Sequence, residues 1–294
     1  MLYGELFARK GNERSRMKTM AIQKAVAMVV LGLLATSVMA IAADLKQNTV
    51  SAFDKYVAAT ERRMSLEVDP GGQFLYVDSL PASEMASAYE RLRHGEILVE
   101  LMKTTASGVD YEIPEGVVHH WVGVVFISGA TLEQTRAVAQ DYDHRAQLYQ
   151  PEVIAAHVIS HEGDDYRIFM RLYEKRFTTV VFNTEYAIHW GQVDERTMYS
   201  NSMSTRIAEV KDPNNPEGPD LPVGTGNGYL WRLNTYWRFQ EKDGGVYIQC
   251  EAVSLTRDIP FGLGWLLRPL VTKIPKQSLT RTLGRTREVV LERK

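Results

Sequence analysis

Two histidines stand side by side at His119-His120, and a second cluster of acid and base groups lies at Asp141-Tyr-Asp-His144. A histidine pair invites a metal-binding reading. However, the run around it, Val117–Ser128 (VVHHWVGVVFIS), is rich in β-branched and aromatic residues and predicts a strand. Adjacent strand residues point to opposite faces, so the two imidazoles cannot hold one ion between them. One is expected to face an interior, the other a covering helix or solvent. The Asp141–His144 cluster has groups able to move a proton, but no second acid or base is tied to it by spacing. Its expected role is to end a helix and bond a turn. Glu251, Arg257 and Asp258 are expected to form an ion network at a sheet edge. Gly224-Thr-Gly-Asn-Gly228 is too isolated to cradle a phosphate and reads as loop. The sequence contains no His-Glu-x-x-His, no Walker-type glycine loop and no Gly-x-Ser-x-Gly elbow. Its one cysteine, Cys250, excludes an intrachain disulfide and any cysteine-cluster metal site. No catalytic residue, metal ligand or cofactor is assigned on these grounds.

The 294 residues carry 34 Lys+Arg against 36 Asp+Glu, a formal net charge of −2, with 45% hydrophobic and 24% charged residues. That balance is globular rather than disordered. It argues against a nucleic-acid binder with a broad basic surface.

From Ala25 to Ala43 there is no charge, and Ala25–Ala35 is nearly all apolar. Lys18 and Lys24 precede this run, and Val38-Met-Ala40 and Ala40-Ile-Ala42 follow it. A positive segment, a short apolar segment and small-x-small cleavage options are the layout of a secretory signal peptide. Residues 1–42 are therefore expected to be a leader whose true start is Met17 or Met20, the alternative being an uncleaved N-terminal membrane anchor. The expected location is periplasmic or secreted. Without the leader the chain holds 28 basic and 34 acidic residues and is acidic.

The elements that must position the chemistry follow from periodicity. Val50–Arg63 and Ser83–Leu92 read as helices, with Ser83 a possible cap, in a peripheral extension that, with a first strand at Ile97–Lys103, fills residues 43–110. A helix opens behind Thr131, and strands are expected at Val153–His161, Tyr166–Tyr173, Thr178–Trp190, Arg196–Val210, Gly228–Gln240 and Val246–Arg257. Asp243-Gly-Gly245 predicts the last hairpin. The end of the chain returns to helical period: Pro275 suits a first turn, and Leu279, Leu283, Thr286 and Val290 form one stripe. The order predicts an α+β fold, a curved antiparallel sheet wrapped on a long C-terminal helix. Such a sheet cannot close tightly on a helix everywhere, and the leftover space is a cavity.

Strand faces suggest what lines it. In Gly228–Gln240 one parity reads Tyr229, Trp231, Leu233, Thr235, Trp237, Phe239. In Thr178–Trp190 the apolar parity includes Tyr186. The small residues Cys250, Ala252 and Ser254 on the last strand would let a helix approach or leave room for a ligand. The aromatics with polar tips favour an amphipathic pocket over a merely filled core. Trp121, Tyr142, Tyr186, Trp231, Leu233 and Trp237 are the expected ligand-binding residues, with Lys211–Gly228 a candidate lid.

The segment Phe126-Ile-Ser-Gly-Ala-Thr-Leu-Glu-Gln, leading to Asp141-Tyr142, resembles the entry of the START-like (SRPBCC, helix-grip) superfamily. Gly228-Tyr-Leu-Trp-Arg-Leu-Asn-Thr-Tyr-Trp and Glu251-Ala-Val-Ser-Leu-Thr-Arg-Asp-Ile-Pro260 resemble its end. With His119-His120-Trp121 and Tyr199-Ser-Asn-Ser, the chain looks like a group of exported acidobacterial proteins of that superfamily, of unassigned function. The resemblance implies a helix-grip domain over residues 111–294, with about seven strands, Pro260 as hinge and an apolar cavity. It implies lipid, sterol, polyketide or hormone binding, and cyclase or aromatase activity in a minority of members.

The expected function is an exported, non-enzymatic binding or carrier protein for a hydrophobic or amphipathic small molecule, such as a lipid or polyketide-like ring. A cyclase/aromatase-like enzyme and a structural or interaction protein with a filled core are the alternatives. The basic helix face Lys273, Lys276, Arg281, Arg285, Arg287 would suit transient contact with anionic headgroups at a membrane surface. Oligomeric state is not legible.

Overall fold

Near-continuous apolar runs such as residues 122–127 give one sheet two apolar faces, and each face recruits its own helices. The computed structural model describes residues 43–69, 71–175, 179–258 and 264–293, with side chains of the last segment described from residue 274. The leader, Pro70, Thr178, the hinge at Pro260 and the Lys273 side chain lie outside the described residues.

The chain runs through helix α1 (Gln47–Val68), a 3₁₀ turn (Tyr76–Ser79), α2 (Ala82–Arg93), β1 (Leu98–Leu101), β2 (Thr105–Ala106), β3 (Val109–Asp110) and β4 (Gly116–Ser128). Then come α3 (Leu132–Ala139), α4 (Arg145–Leu148), β5 (Val153–Glu162), β6 (Asp165–Lys175), β7 (Thr179–Asp194), β8 (Thr197–Glu209), β9 (Arg232–Lys242), β10 (Gly245–Arg257) and α5 (Gly264–Glu292). Eight strands form one antiparallel sheet in the order β1-β4-β10-β9-β8-β7-β6-β5, and β2-β3 is a separate ribbon. The curved antiparallel sheet with a long C-terminal helix is the expected α+β arrangement. The eighth strand is β1, which pairs outside β4. Among the described residues no helix is long and apolar enough to cross a membrane.

Local signals act as their chemistry predicts. Thr131 caps α3, its hydroxyl accepting from the Gln134 amide at 3.2 Å. Asp243 and Gly244 adopt φ of 57° and 72°, the left-handed pair that a tight hairpin needs. Three expectations need correction. Ser83 caps nothing, because α2 already starts at Ala82 behind Pro81. Strand β9 starts at Arg232 rather than Gly228, whose φ of +68° lies outside extended backbone. Pro275 lies inside α5 rather than opening it. A proline inside a helix costs about 3 kcal/mol, less than burial of Leu279, Leu283 and Val290 on the same stripe contributes at about 1.5–3 kcal/mol each.

The inner face of the sheet packs Val125, Ile127, Phe239, Ile248 and Cys250 against Leu279, Leu283 and Val290 of α5. The helix lies close to the sheet at Gly123, where a Cβ would stand 2.5 Å from a Leu283 methyl carbon. The opening helices are not peripheral. Phe53, Tyr56, Val57 and Met64 of α1 bury Val253 and Leu255 of β10 on the outer face. The 3₁₀ turn and α2 cover Val124 and Tyr247 beside them. Tyr247, Val253 and Leu255 on the odd-numbered face of β10 are thereby kept out of water.

Candidate functional site

Register across the inner face assembles rows that no single strand displays. One row reads Gly123, Cys250, Trp237, Ser200, Trp190; the next reads Trp121, Ala252, Thr235, Ser202, Ile188. A third begins His119, Ser254, Leu233, and the Leu233 amide donates to the Ser204 hydroxyl at 3.0 Å. The middle of the sheet is thus floored by short side chains, with tryptophans standing around it. In β9 the two faces differ in closure. Asn234, Tyr236 and Arg238, on the outer face, are buried, whereas Leu233, Thr235 and Trp237, on the inner face, keep partial solvent access. Trp121 and Ala252 do the same.

Two polar atoms in this layer are buried without a hydrogen-bond partner, Trp121 Nε1 and Tyr186 Oη. The Thr184 hydroxyl near Tyr186 donates to the Met170 carbonyl at 2.7 Å and keeps its lone pairs for a second hydrogen bond. Burial holds the layer neutral. It pushes the Tyr186 phenol up to about 12, the Cys250 thiol well above its usual range and the His119 imidazole down to about 4. His119 Nε2 lies 3.1 Å from the Thr256 hydroxyl.

The expected ligand-binding residues divide as follows. Trp121, Tyr186, Leu233 and Trp237 share the inner face, with the Lys276 ammonium 5.7 Å from the Trp121 ring centroid. Tyr142 is buried beside them between α3 and α4, and its hydroxyl accepts from Trp190 Nε1 at 2.9 Å. Trp231 stands apart. It precedes β9, its amide donates to the Leu255 carbonyl at 2.8 Å, and its ring packs with α1 on the outer face. The parity that grouped it with Leu233 and Trp237 stops where the strand begins. The Lys211–Gly228 loop is tied down. The Asn227 amide donates to Glu209 at 2.8 Å and Asn183 donates to Asp220 at 2.8 Å.

The histidines separate as strand geometry requires. His120 faces α1, with Nδ1 2.7 Å from the Tyr56 hydroxyl and Nε2 2.5 Å from Glu251. Since the Thr104 amide donates to Tyr56 Oη at 3.0 Å, the consistent assignment is Tyr56 donating to His120 and His120 donating to Glu251. Arg63 also pairs with Glu251, and Glu67 bridges Arg63 and Arg238, each at 2.6 Å. Glu251 is therefore a buried outer-face residue, not part of a sheet-edge network, because β10 lies between β4 and β9. Burial pushes its carboxyl up, but the hydrogen bond from His120 and the charges of Arg63 and Arg238 outweigh it and hold the pKa below the usual range. The signal for this cluster was present in the strand parity of His120 and Glu251; the register that joins them was not. Asp141 and His144 bond at 2.6 Å at the surface, the turn-forming role expected. Arg281 pairs with Glu152 at 2.9 Å, and Arg285 with Glu288 and Glu292 at 3.1 and 3.2 Å, so much of the basic helix face is already paired. Among the described residues no three His, Cys, Asp or Glu side chains are placed to hold a metal.

Two surface grooves lie elsewhere. One, of about 250 Å³, is bounded by Leu92, Phe126, Arg287 and Leu291, and one of about 480 Å³ lies at Asp194–Thr197 and Gln240–Lys242.

No protein-family model matches the chain, and no curated protein does. Solved structures do resemble it. The STAR-related lipid transfer protein fragment from Xanthomonas axonopodis aligns at a TM-score of 0.42 and 15% identity, over 65% of this chain and 98% of the other. Human STARD10 aligns at 0.43 and 13%, over 73% and 81%. The Zhui aromatase/cyclase from Streptomyces sp. R1128 aligns at 0.41 and 9%, over 60% and 96%. Likeness of this size leaves the ligand to be argued from the residues of this chain.

Proposed function

We propose that this chain is an exported binding or carrier protein that holds a hydrophobic or amphipathic small molecule between the inner sheet face and α5, within the acidobacterial group that its sequence resembles. The observation that carries the reading is the pair of buried, unpartnered donors, Trp121 Nε1 and Tyr186 Oη, over a floor of short side chains. An unpaired buried polar atom costs about 1–3 kcal/mol, and a ligand oxygen set in this layer would recover that for each. Burying an apolar ligand body adds affinity at about 25 cal/mol per Å² before the costs of association. Trp121, Leu233 and Trp237 supply partly accessible apolar surface for it.

A cyclase would need an acid and a base aimed into the same layer. Among the described residues, the carboxylate–imidazole pairs Asp141–His144 and His189–Asp165 lie at the surface and Glu251–His120 faces α1. The binding reading is therefore preferred. Export rests on the residues 25–43 pattern, and cell fractionation with N-terminal sequencing of the mature protein tests it. For binding, the protein is purified gently from its own envelope and weighed by native mass spectrometry, then titrated with the neutral dye Nile red. A co-purifying apolar molecule, or dye uptake that a lipid extract displaces, is expected. A ligand-free protein that takes up no dye overturns the reading.

A further inference from the structure

Besides the Lys276 ammonium at Trp121, a second cation borders the inner layer, and the binding reading does not use it. Arg145, at the start of α4, is part-buried, and its guanidinium carbon lies 4.9 Å from the Tyr142 ring centroid and 5.3 Å from that of Tyr149. Both tyrosines belong to the apolar cluster beneath α5. Nη2 donates to the Ala139 carbonyl at 2.7 Å. Nε is buried and has no partner, and among the described residues no carboxylate forms an ion pair with this arginine. Burial raises the pKa of the Cys250 thiol, on the row that carries Trp237 and Gly123, and the Arg145 charge reaches far enough to pull against that rise.

A guanidinium at the edge of an apolar layer whose buried Nε–H lacks an acceptor leaves a donor that natural interiors pair. The neighbouring candidates are otherwise engaged. Asp141 is bonded to His144 and Arg293, at 2.6 and 2.8 Å, and Asp143 accepts from the Val158 amide at 2.8 Å. The two tyrosine rings hold the cation in place through their faces and leave its free N–H groups for an incoming oxygen. Planar guanidinium donors match carboxylate geometry.

We propose that Arg145 is the anchor for a carboxylate on the bound molecule, so that the ligand class is an amphipathic acid whose apolar body lies over Trp237 and the small-residue floor. This rests on the binding reading above and narrows it from apolar molecules in general to anionic ones.

The test uses three probes of equal chain length, dodecanoate, dodecanol and methyl dodecanoate, each competed against Nile red on the full-length protein. With unmodified protein, dodecanoate is expected to bind roughly tenfold or more tighter than the alcohol or the ester, the scale of a charge-assisted hydrogen bond. In Arg145→Gln that preference is expected to vanish, and in Arg145→Lys to be only partly retained, since lysine keeps the charge but not the Nε–H. The acid-to-alcohol ratio is measured within each variant, so a change in overall stability does not mimic the result. If the glutamine variant does not fold, Arg145→Lys carries the comparison, because the Lys276 ammonium beside Trp121 would also favour the acid on unmodified protein. Equal binding of acid, alcohol and ester, with Nile red taken up normally, overturns the Arg145 assignment and leaves the binding reading standing. Failure of the dye and all three probes to bind removes both.

Discussion

His119 offers a quantitative check on the inner layer. The buried imidazole is held neutral, with its pKa pushed down to about 4 from an ordinary value of 6.5. Below 6.5 the unfolded chain takes up a proton that the folded chain refuses, so stability is full above that pH and falls as the pH drops. The loss levels off once the pH passes below the folded value. A tenfold difference in proton affinity between the two states is worth about 1.4 kcal/mol, which makes the full loss about 3 kcal/mol. About 2 kcal/mol of it is realised at about pH 5. His119→Gln removes the titration while keeping a side chain able to bond the Thr256 hydroxyl, which lies 3.1 Å away in the native pair. Urea unfolding of both proteins at about pH 7.5 and about pH 5 measures the difference, because every other titrating group is common to the two. Wild type is expected to lose about 2 kcal/mol more than the variant on acidification. Parallel losses would mean that the imidazole takes its proton in the folded state, and the dry, neutral inner layer would have to be given up.

Glu251→Gln is expected to destabilise by about 1–3 kcal/mol, since it removes the buried carboxylate that accepts from His120 and pairs with Arg63; chemical denaturation measures it. The lowered Glu251 pKa contributes stability that is present above the unfolded carboxylate value and lost as pH falls through the folded one, so the variant should lack that part of the acid response. Gly123→Ala would favour a strand by propensity, yet its Cβ would meet Leu283 at 2.5 Å and Leu279 at 3.2 Å. A loss of about 1–3 kcal/mol in thermal or urea unfolding is expected, and a gain would show that α5 does not sit on the sheet there. Tyr186→Phe removes an unpartnered buried hydroxyl and is expected to leave the ligand-free protein as stable as wild type or more so, read by urea unfolding without ligand. A clear loss would show that the hydroxyl is already paired.

Local chemistry explains which features were legible beforehand. The Leu279, Leu283, Thr286, Val290 stripe, the Thr131 cap and the Asp243-Gly244 hairpin depend on residues within a few positions of one another, and each stands where expected. Within each strand the two-residue repeat shows which side chains share a face, and register then sets Trp121, Tyr186, Leu233 and Trp237 on the same one. Trp231 fell outside that rule because glycines at positive φ delay the strand start, and parity has no meaning before it. Arg145 carried no signal, since one arginine after a turn looks like any surface arginine until the tyrosines around it are in place.

Sequence alone determined the period of each strand and helix, the opposite facing of His119 and His120, and the composition of each strand face, because these follow from backbone geometry and neighbouring side chains. Tertiary structure alone decided that His120 meets Glu251 and Tyr56, that α1 covers the outer face, and that Arg145 Nε, Trp121 Nε1 and Tyr186 Oη are buried without partners. Cross-strand register and helix docking depend on groups far apart along the chain, and no local pattern encodes which of them come into contact.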